Sequence, residues 1–357
     1  MRSHFDPRAA AVPPDATVRK AIETINEGKA AIALVLGTSG TLIGTITDGD
    51  VRRGLLRGVA LDAPVSEVMH REPLTAPVGT SDTKLLDLMR DRSVRQVPLV
   101  DGQGRVIDLA VLSDLQPQTS THPNKVVLMV GGRGSRLAPL TDGTPKALLN
   151  VGDRPLLETI LGQLRDQDFV EVLLAVHFHA DQVRAFCGDG SRWGLKVRYL
   201  EEPEFRGTAG ALVAARPFLN EPFIVMNGDL LTLVSLGQML AYHIDSGQEA
   251  TIAVREYHVD VPFGTVQVEG DRVVAIREKP SERFLISAGL YVLDPAIADL
   301  VPPRQHFDMP ELIDTAIRAG RSVGSFLVHE YWMDIGRLAD FERASADYSQ
   351  NFPPEQR

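Results

Sequence analysis

Met129-Val-Gly-Gly-Arg-Gly-Ser-Arg-Leu-Ala-Pro-Leu-Thr-Asp-Gly-Thr-Pro-Lys146 is the stretch that decides the fold and the chemistry of this chain. The apolar run 126–130 leads into it and predicts a buried strand of a parallel sheet. The turn that follows is rich in glycine, which lets backbone N–H groups close around an anion without interference from a Cβ atom. Arg136 adds a fork of charge-assisted donors, and Lys146 adds a point charge. A strand that feeds such a turn predicts a triphosphate site.

Two common phosphate-binding patterns do not fit this spacing. A dinucleotide fingerprint, G-x-G-x-x-G, would begin at Gly132 and Gly134 but meets Leu137 where its third glycine should stand. A P-loop needs a glycine directly before its lysine, whereas Lys146 follows Pro145. The stretch does match G-G-x-G-[ST]-R-L-x-P-L-T-x-x-x-P-K. In this it resembles the sugar-phosphate nucleotidyltransferases, also called nucleotide-sugar pyrophosphorylases.

The resemblance implies a reaction and a set of nucleotide contacts. A sugar-1-phosphate oxygen would attack the α-phosphorus of a nucleoside triphosphate and release pyrophosphate. Because this nucleophile is already an anion, the reaction needs alignment and charge neutralisation more than a strong base. Arg136 and Lys146 are therefore the expected catalytic residues. The loop residues expected to bind the nucleotide are Gly131, Gly132, Gly134 and Ser135.

Two further motifs end in carboxylates that suit a magnesium ion. Phe223-Ile-Val-Met-Asn-Gly-Asp229 predicts a buried strand that ends at Asp229, and Tyr331-Trp-Met-Asp-Ile-Gly336 presents Asp334. Mg²⁺ is commonly held by one or two carboxylates, with phosphate oxygens and waters completing its coordination. The resemblance assigns Mg²⁺ to Asp229 and Asp334.

The resemblance assigns binding of the sugar-1-phosphate to a charged turn. In Arg277-Glu-Lys-Pro280, Lys279 would hold the sugar-1-phosphate and Glu278 a sugar hydroxyl. Gly264 resembles the glycine that lets a sugar ring approach the backbone. The family often has Asn-Ala-Gly where this chain has Ser287-Ala-Gly, so the identity of the sugar stays open.

Contacts to the base of the nucleotide are assigned to Gly207 and Glu202. Gly207 opens Gly-Thr-Ala-Gly-Ala-Leu, a segment that resembles the base-carrying part of the family. Uridylyl- and thymidylyltransferases often have glutamine five residues earlier, where this chain has Glu202. Guanine offers two neighbouring donors that match a carboxylate, whereas uracil offers one donor between two acceptors. Glu202 therefore favours GTP, although a solvent-facing role fits it equally well.

Residues 116–124 are polar, contain two prolines and separate two apolar strands, which predicts a domain boundary. We expect a first domain at 1–118, a linker at 119–124 and the nucleotidyltransferase domain at 125–357. Strands and helices alternate in the second domain, which predicts an α/β, Rossmann-like, mostly parallel sheet with helices on both faces.

The first domain contains a repeat of about sixty residues, at about 1–62 and 63–118. Each copy reads helix, strand, strand, helix, and the pair resembles α+β tandem cystathionine-β-synthase-type (CBS) repeats, which commonly bind adenine nucleotides. By that resemblance, Thr47 and Asp50 of the first repeat and Asp114 of the second would contact the ligand. The second repeat has Asp108 and Val111 where the pattern expects a glycine and a hydroxyl. A pair that serves only dimerisation is the alternative.

The composition limits the binding partners and the cellular location that we expect for this protein. The chain of 357 residues carries a formal net charge of −10, which argues against nucleic acid as a partner. Cys187 is the only cysteine, so a reducing compartment is expected, and we interpret this thiol as inert. Neither an apolar N-terminal segment nor an apolar run of 18 residues is present, so we expect a cytoplasmic protein with no membrane contact.

The sequence thus favours a Mg²⁺-dependent nucleotidyltransferase that acts on a nucleoside triphosphate, with GTP preferred, and on a sugar-1-phosphate. It predicts a homo-oligomer through the CBS pair or the transferase domain. A uridylyl- or thymidylyltransferase acting on a hexose-1-phosphate is one alternative. A non-catalytic, nucleotide-sensing regulator is the other. Asp308 and Glu311 are interpreted as a capping box at the start of a helix.

Overall fold

The computed structural model of the chain describes residues 5–28, 30–92, 94–115, 121–201 and 204–352. It divides into two compact units, Met1–Ser120 and Thr121–Arg357. Part of the predicted linker, at 119–120, lies outside the described residues. No helix in the described ranges is long and apolar enough to cross a membrane.

The first unit repeats one supersecondary pattern twice. Each copy holds a three-stranded sheet in which a short first strand pairs parallel to the second, and the second pairs antiparallel to the third. This confirms the helix, strand, strand, helix order expected from the sequence. The elements are β1 (Ala11–Val12), α1 (Val18–Glu27), β2 (Ile32–Leu36), β3 (Leu42–Thr47), α2 (Asp48–Leu56), β4 (Ala76–Pro77), α3 (Asp82–Arg92), β5 (Gln96–Val100), β6 (Val106–Val111) and α4 (Leu112–Leu115).

The two repeats pack against each other, as expected for units that cannot bury their sheets alone. Leu34 of β2 and Leu109 of β6 belong to one buried apolar cluster. The turns also exchange backbone hydrogen bonds, from Leu42 N to Gly104 O at 3.0 Å and from Val106 N to Gly40 O at 3.2 Å. The pair is therefore a single structural body.

The second unit is built on a seven-stranded sheet in the order β11-β10-β7-β12-β17-β14-β18. Neighbouring strands run parallel, except that β17 is antiparallel to both β12 and β14. The strands are β7 (Val126–Met129), β8 (Asn150–Val151), β9 (Arg154–Pro155), β10 (Glu171–Val176), β11 (Lys196–Glu201), β12 (Phe223–Asn227), β13 (Leu230–Thr232), β14 (Ala250–Asp260), β15 (Thr265–Glu269), β16 (Arg272–Arg277), β17 (Ser281–Leu293), β18 (Val323–Val328) and β19 (Trp332–Asp334).

Helices cover both faces of this sheet. Successive residues of β7 point to opposite sides, so Leu128 joins one apolar cluster and Val127 the other. The first cluster includes residues of α5 and α8, and the second includes residues of α7 and α10. The helices are α5 (Leu156–Asp166), α6 (Ala180–Cys187), α7 (Leu212–Ala215), α8 (Leu236–Ser246), α9 (Pro295–Ala298), α10 (Met309–Arg318) and α11 (Leu338–Asn351). The mostly parallel α/β architecture expected from the sequence is confirmed.

Candidate functional site

The glycine-rich loop starts at the end of β7, which lies between β10 and β12 in the sheet. Loops at the carboxyl ends of inner parallel strands are the usual ligand positions of such sheets. Gly134 has φ +64°, and a Cβ atom added there would lie 3.0 Å from Thr141 Cγ2 and 3.1 Å from Lys146 Cβ. Thr141 Oγ1 donates to Gly134 O at 3.0 Å. Glycine is therefore required where the loop folds back onto Lys146.

The start of the loop is buried on one side and open on the other. Gly131 is buried, with the backbone nitrogen of His177 3.1 Å from the position that a Cβ would take. Gly132 is exposed, and no described heavy atom approaches its Cβ position within 4 Å. Ser135 is also exposed. This arrangement leaves room for an anion at Gly132 and Ser135.

The two predicted catalytic cations lie near two carboxylates. Lys146 is largely buried, and its Nζ is 2.5 Å from Asp229 Oδ2. Arg136 Nη1 and Asp334 Oδ1 both lie 3.6 Å from the Cβ position of Gly336. The structure thus brings Arg136, Lys146, Asp229 and Asp334 together, although the first and last are separated by almost 200 positions of sequence.

Neighbouring strands place the two carboxylates side by side. Leu230 of β13 pairs with Asp334 of β19, and Ile335 N donates to Asp229 O at 3.0 Å. Desolvation and the negative charge of Asp229 raise the pKa of Asp334, while Lys146 and Arg136 act in the opposite direction. A cation bound between the two carboxylates would reduce the repulsion that contributes to the raised pKa of Asp334.

Asp229 has one oxygen left over after its ion pair with Lys146. In the described part of the chain, Asp229 Oδ1 is buried and has no hydrogen-bond partner. Buried carboxylate oxygens without a partner are costly, and hard oxygen donors of this kind suit Mg²⁺. The residues present at Asp229 and Asp334 therefore fit a divalent cation.

The predicted sugar residues flank the ribbon formed by β15 and β16. The Cβ position of Gly264, just before β15, lies 3.0 Å from Glu278 Oε2, just after β16. Lys279 is exposed and takes a left-handed backbone conformation with φ +40°. Val261 N donates to Pro280 O at 3.0 Å and closes the base of the ribbon. Gly264, Glu278 and Lys279 thus belong to one small region.

Strand β17 carries Ser287, another predicted sugar-binding residue, and connects it to the strand end that carries Asp229. Ser287 is exposed, and its Oγ lies 2.9 Å from Tyr291 OH. Gly289 has φ +70°, and a Cβ there would lie 2.7 Å from Asn227 Nδ2. Asn227 ends β12, two residues before Asp229. The contact therefore ties the Ser287 segment to the strand end that carries Asp229.

The predicted base loop is fixed by a residue that the sequence assigned only to helix capping. Gly207 has φ +85°, and its Cβ position lies 2.7 Å from Asp308 Oδ1. Asp308 Oδ1 accepts from Thr208 N at 2.7 Å and from Thr208 Oγ1 at 3.1 Å. The capping box with Glu311 is confirmed, but Asp308 also holds Thr208, a contact across 100 positions that no sequence signal reveals. Glu202 lies outside the described residues.

In the first unit, the predicted ligand residues form a helix cap. Thr47 N and Oγ1 donate to Asp50 Oδ2 at 2.8 and 2.7 Å, and the pair forms the capping box of α2. Arg53 Nη2 donates to Asp50 Oδ1 at 2.6 Å. In the second repeat, Asp114 is exposed on α4. Asp108 is buried and accepts from the backbone nitrogen of Phe5 at 3.1 Å.

The single thiol is buried between helix and sheet. Cys187 ends α6 and is 3% exposed, and burial raises its pKa to about 12. A thiol with so high a pKa is protonated at neutral pH and is a poor nucleophile. This agrees with the interpretation of Cys187 as inert.

Comparison with family models and known proteins gives a consistent match. Residues 125–351 match the model of the nucleotidyl transferase family, and residues 4–57 and 65–116 match the CBS domain. A mannose-1-phosphate guanylyltransferase of Mycobacterium tuberculosis is 31% identical over 243 residues, which cover 66% of this chain and 67% of that protein. The catalytic subunit beta of the Danio rerio enzyme is 33% identical, covering 64% of this chain and 65% of its own.

Solved structures share the fold. HddC from Yersinia pseudotuberculosis is 25% identical with a TM-score of 0.51, covering 63% of this chain and 99% of its own. A UDP-glucose pyrophosphorylase in complex with UDP-glucose has a TM-score of 0.50 at 16% identity, covering 64% of this chain and 98% of its own, and shows the fold alone. This chain spans 67% of the mycobacterial relative and less than two thirds of the Danio rerio protein.

Proposed function

The chain belongs to the nucleotidyl transferase family and carries two CBS domains, and from this premise we propose that it transfers a guanylyl group from GTP to a sugar-1-phosphate and releases pyrophosphate. The observation that supports this most strongly is the cluster of Arg136, Lys146, Asp229 and Asp334 at the end of the glycine loop. Two cations and two carboxylates beside an open loop are suited to two phosphate-bearing reactants and a divalent cation.

The chemistry needs positioning and charge neutralisation. An oxygen of the sugar-1-phosphate forms a bond to the α-phosphorus, and the bond from that phosphorus to the bridging oxygen of the leaving pyrophosphate breaks. Arg136 and Lys146 neutralise the triphosphate and the charge that accumulates on the leaving group. Backbone groups of Gly131, Gly132 and Gly134, with Ser135, hold the triphosphate in place.

Asp229 and Asp334 would hold Mg²⁺, which when bound reduces the repulsion between the two anionic reactants. Before it binds, Lys146 balances Asp229 through the ion pair between Nζ and Oδ2. Binding of the triphosphate offers Lys146 a second anionic partner. Asp229 Oδ1, which has no hydrogen-bond partner among the described residues, supports this assignment.

The acceptor side uses the residues at the base of the β15–β16 ribbon. Lys279 binds the phosphate of the sugar, Glu278 a sugar hydroxyl, and Gly264 leaves room for the ring beside Glu278. Ser287 is a further residue that would hydrogen-bond a sugar hydroxyl. The relatives are named mannose-1-phosphate guanylyltransferases, so mannose-1-phosphate is the first acceptor to test.

The base assignment rests on Glu202 and Gly207. Gly207 lies in a loop fastened to Asp308, which gives the base a fixed backbone to lie against. The CBS pair binds an adenine nucleotide through Thr47, Asp50 and Asp114, or serves oligomerisation alone. The cytoplasmic location stays a prediction.

The decisive experiment is a panel of the four ribonucleoside triphosphates and dTTP against several sugar-1-phosphates, read by pyrophosphate release. GTP with mannose-1-phosphate should be the best pair. Faster turnover with UTP or dTTP would replace the guanylyl assignment by the uridylyl or thymidylyl alternative. If no pair releases pyrophosphate but a triphosphate binds by calorimetry, the chain is the non-catalytic regulator.

A further inference from the structure

Two segments that are far apart in the sequence are hydrogen-bonded to each other where the base of the nucleotide is assigned. We call residues 205–209 the base loop and residues 306–308 the strap. Phe307 N donates to Arg206 O at 2.8 Å, and Ala209 N donates to Phe307 O at 3.0 Å. The strap is therefore paired with the base loop through main-chain atoms of both segments.

A threonine of the base loop and the aspartate that ends the strap form a joint between the two segments. Asp308 Oδ1 accepts from Thr208 N at 2.7 Å and from Thr208 Oγ1 at 3.1 Å. The same hydroxyl oxygen accepts from Met309 N at 2.9 Å, at the start of α10. A hydroxyl can donate once and accept as well, and here both capacities are used by one short segment. Because Asp308 carries a charge, its bonds belong to the stronger kind, and the joint fixes both the backbone and the side chain of Thr208.

The strap also covers the backbone of Gly207, the residue assigned to the base. Gly207 has φ +85°, and a Cβ atom added there would lie 2.6 Å from Phe307 O and 2.7 Å from Asp308 Oδ1. A real Cβ atom does not come so close to an oxygen, so only glycine fits between the base loop and the strap. The conformation of Gly207 therefore depends on where the strap lies.

Both segments are anchored in the apolar core of the sheet. The residues that follow the joint in each segment, Ala209 and Met309, are buried in the same apolar cluster. Glu311 Oε2 accepts from Asp308 N at 2.8 Å and holds the first turn of α10. A loop that is held in place before its ligand arrives loses less conformational freedom on binding. The joint is therefore suited to present the backbone of Gly207 in one conformation.

We infer that Asp308 and Thr208 are positioning residues for the nucleoside triphosphate and that they act through the backbone of Gly207. Their hydrogen bonds hold the base loop in the conformation that receives the base. Loss of the joint weakens binding of the whole nucleotide, but not of a triphosphate chain without a base, which the glycine-rich loop holds. Binding of the sugar-1-phosphate beside the β15–β16 ribbon stays unchanged. The inference rests on the proposed function, which assigns Gly207 to the base.

Thr208→Val tests the joint with little change of side-chain shape. Valine keeps the branched shape and the backbone N–H but loses the hydroxyl, so the Kd and the KM of the nucleoside triphosphate should rise about tenfold or more. Thr208→Ser restores the hydroxyl and should return both constants to within about twofold of the wild type. Thr315→Val is the matched control, because Thr315 Oγ1 donates to Glu311 O at 2.8 Å within α10. It loses an equivalent hydroxyl and should leave both constants unchanged.

Calorimetry on the 357-residue chain with Mg²⁺ separates positioning from general damage to the site. The two probes are the nucleoside triphosphate that the wild type prefers and tripolyphosphate, which has no base. Thr208→Val should bind tripolyphosphate as the wild type does, and its kcat and its KM for the sugar-1-phosphate should stay within about twofold of the wild type. Circular dichroism checks the fold. Asp308→Asn is the second variant and should show the same pattern, because asparagine can still cap α10 but lacks the charge.

Three results in the variants would overturn the inference. The first is wild-type affinity of Thr208→Val for the nucleoside triphosphate, and the second is a Thr208→Ser variant that binds it as weakly as Thr208→Val. The third is an equal loss of affinity for the nucleoside triphosphate and for tripolyphosphate, since this would show damage to the whole site. Failure of the proposed function is read in the wild type instead, as absence of pyrophosphate release. A wild type that binds no nucleoside triphosphate would overturn both.

Discussion

Lys146 Nζ lies 2.5 Å from Asp229 Oδ2, and the other oxygen of Asp229 is buried without a partner in the described part of the chain. This ion pair joins the loop assigned to the triphosphate to the strand end assigned to the metal. One partner is a cation that phosphate oxygens can attract, and the other is an anion that Mg²⁺ can attract. The two proposed ligands therefore enter a site whose own charges already balance.

Removing either loop cation should slow the reaction without unfolding the chain. Lys146→Ala and Arg136→Ala should each lower kcat/KM by about 10²-fold or more, since each loses charge neutralisation in the transition state. Arg133→Ala is the matched control, because Arg133 is an exposed arginine of the same loop that lies over the ring of Phe178. Its activity should stay near that of the wild type. Near-normal turnover in Arg136→Ala or Lys146→Ala would contradict the loop assignment.

The two carboxylates should be needed for metal binding. Activity should disappear with EDTA and return with Mg²⁺ or Mn²⁺. Asp229→Asn and Asp334→Asn should each lose Mn²⁺ binding by calorimetry and lower turnover by about 10²-fold or more. Full activity in a metal-free preparation would refute the metal assignment.

Asp334→Asn should also leave the melting temperature at pH 7 equal to or above that of the metal-free wild type. The pKa of Asp334 is raised in the fold, so its ionised form costs folding free energy once the pH rises above the pKa of the unfolded chain, about 3.9. The benefit of asparagine should therefore vanish below that pH. Asp340→Ala is the control that should melt earlier, because Asp340 accepts from Arg337 N at 3.1 Å and caps α11.

Local sequence patterns were sufficient to predict those elements of the fold that depend on a single stretch of the chain. The apolar run before the glycine loop predicted a buried strand of a parallel sheet, and β7 is that strand, parallel to both β10 and β12. The prediction worked because a strand buried on both faces must be apolar throughout. The repeat of the first unit was visible for a similar reason, since each copy must build the same small sheet.

Contacts between distant segments could not be predicted in this way. The bond from Thr208 to Asp308 and the ion pair from Lys146 to Asp229 depend on which strand ends meet in the folded sheet. The exposure of the β15–β16 ribbon was equally hidden, because β15 alternates and β16 has an apolar run, as ordinary buried strands do. A sequence pattern shows that a face is apolar, but it does not show what covers that face.

The base preference should depend on Glu202. If its carboxylate pairs with the two donors of guanine, Glu202→Gln should reduce the preference for GTP over UTP by roughly ten- to a hundredfold, as the loss of about 1–3 kcal/mol implies. Glu201→Gln is the matched control, since the neighbouring Glu201 is exposed and pairs with Arg184 at 2.6 Å. The readout is the ratio of kcat/KM values for the two triphosphates. An unchanged ratio in Glu202→Gln would assign this side chain to solvent.

The two CBS repeats should respond unequally to equivalent substitutions. If the pair binds an adenine nucleotide, Asp50→Asn in the 357-residue chain should abolish binding of AMP or ATP by calorimetry, because asparagine loses the charge that accepts from ribose hydroxyls. Asparagine is chosen over alanine because Asp50 also caps α2 and pairs with Arg53, and an amide oxygen can keep the cap. Asp114→Asn should weaken binding less, since Val111 and the buried Asp108 already depart from the ligand pattern in that repeat. If the wild type binds neither nucleotide at millimolar concentration, the CBS pair is an assembly element and the ligand assignment of Thr47, Asp50 and Asp114 is wrong.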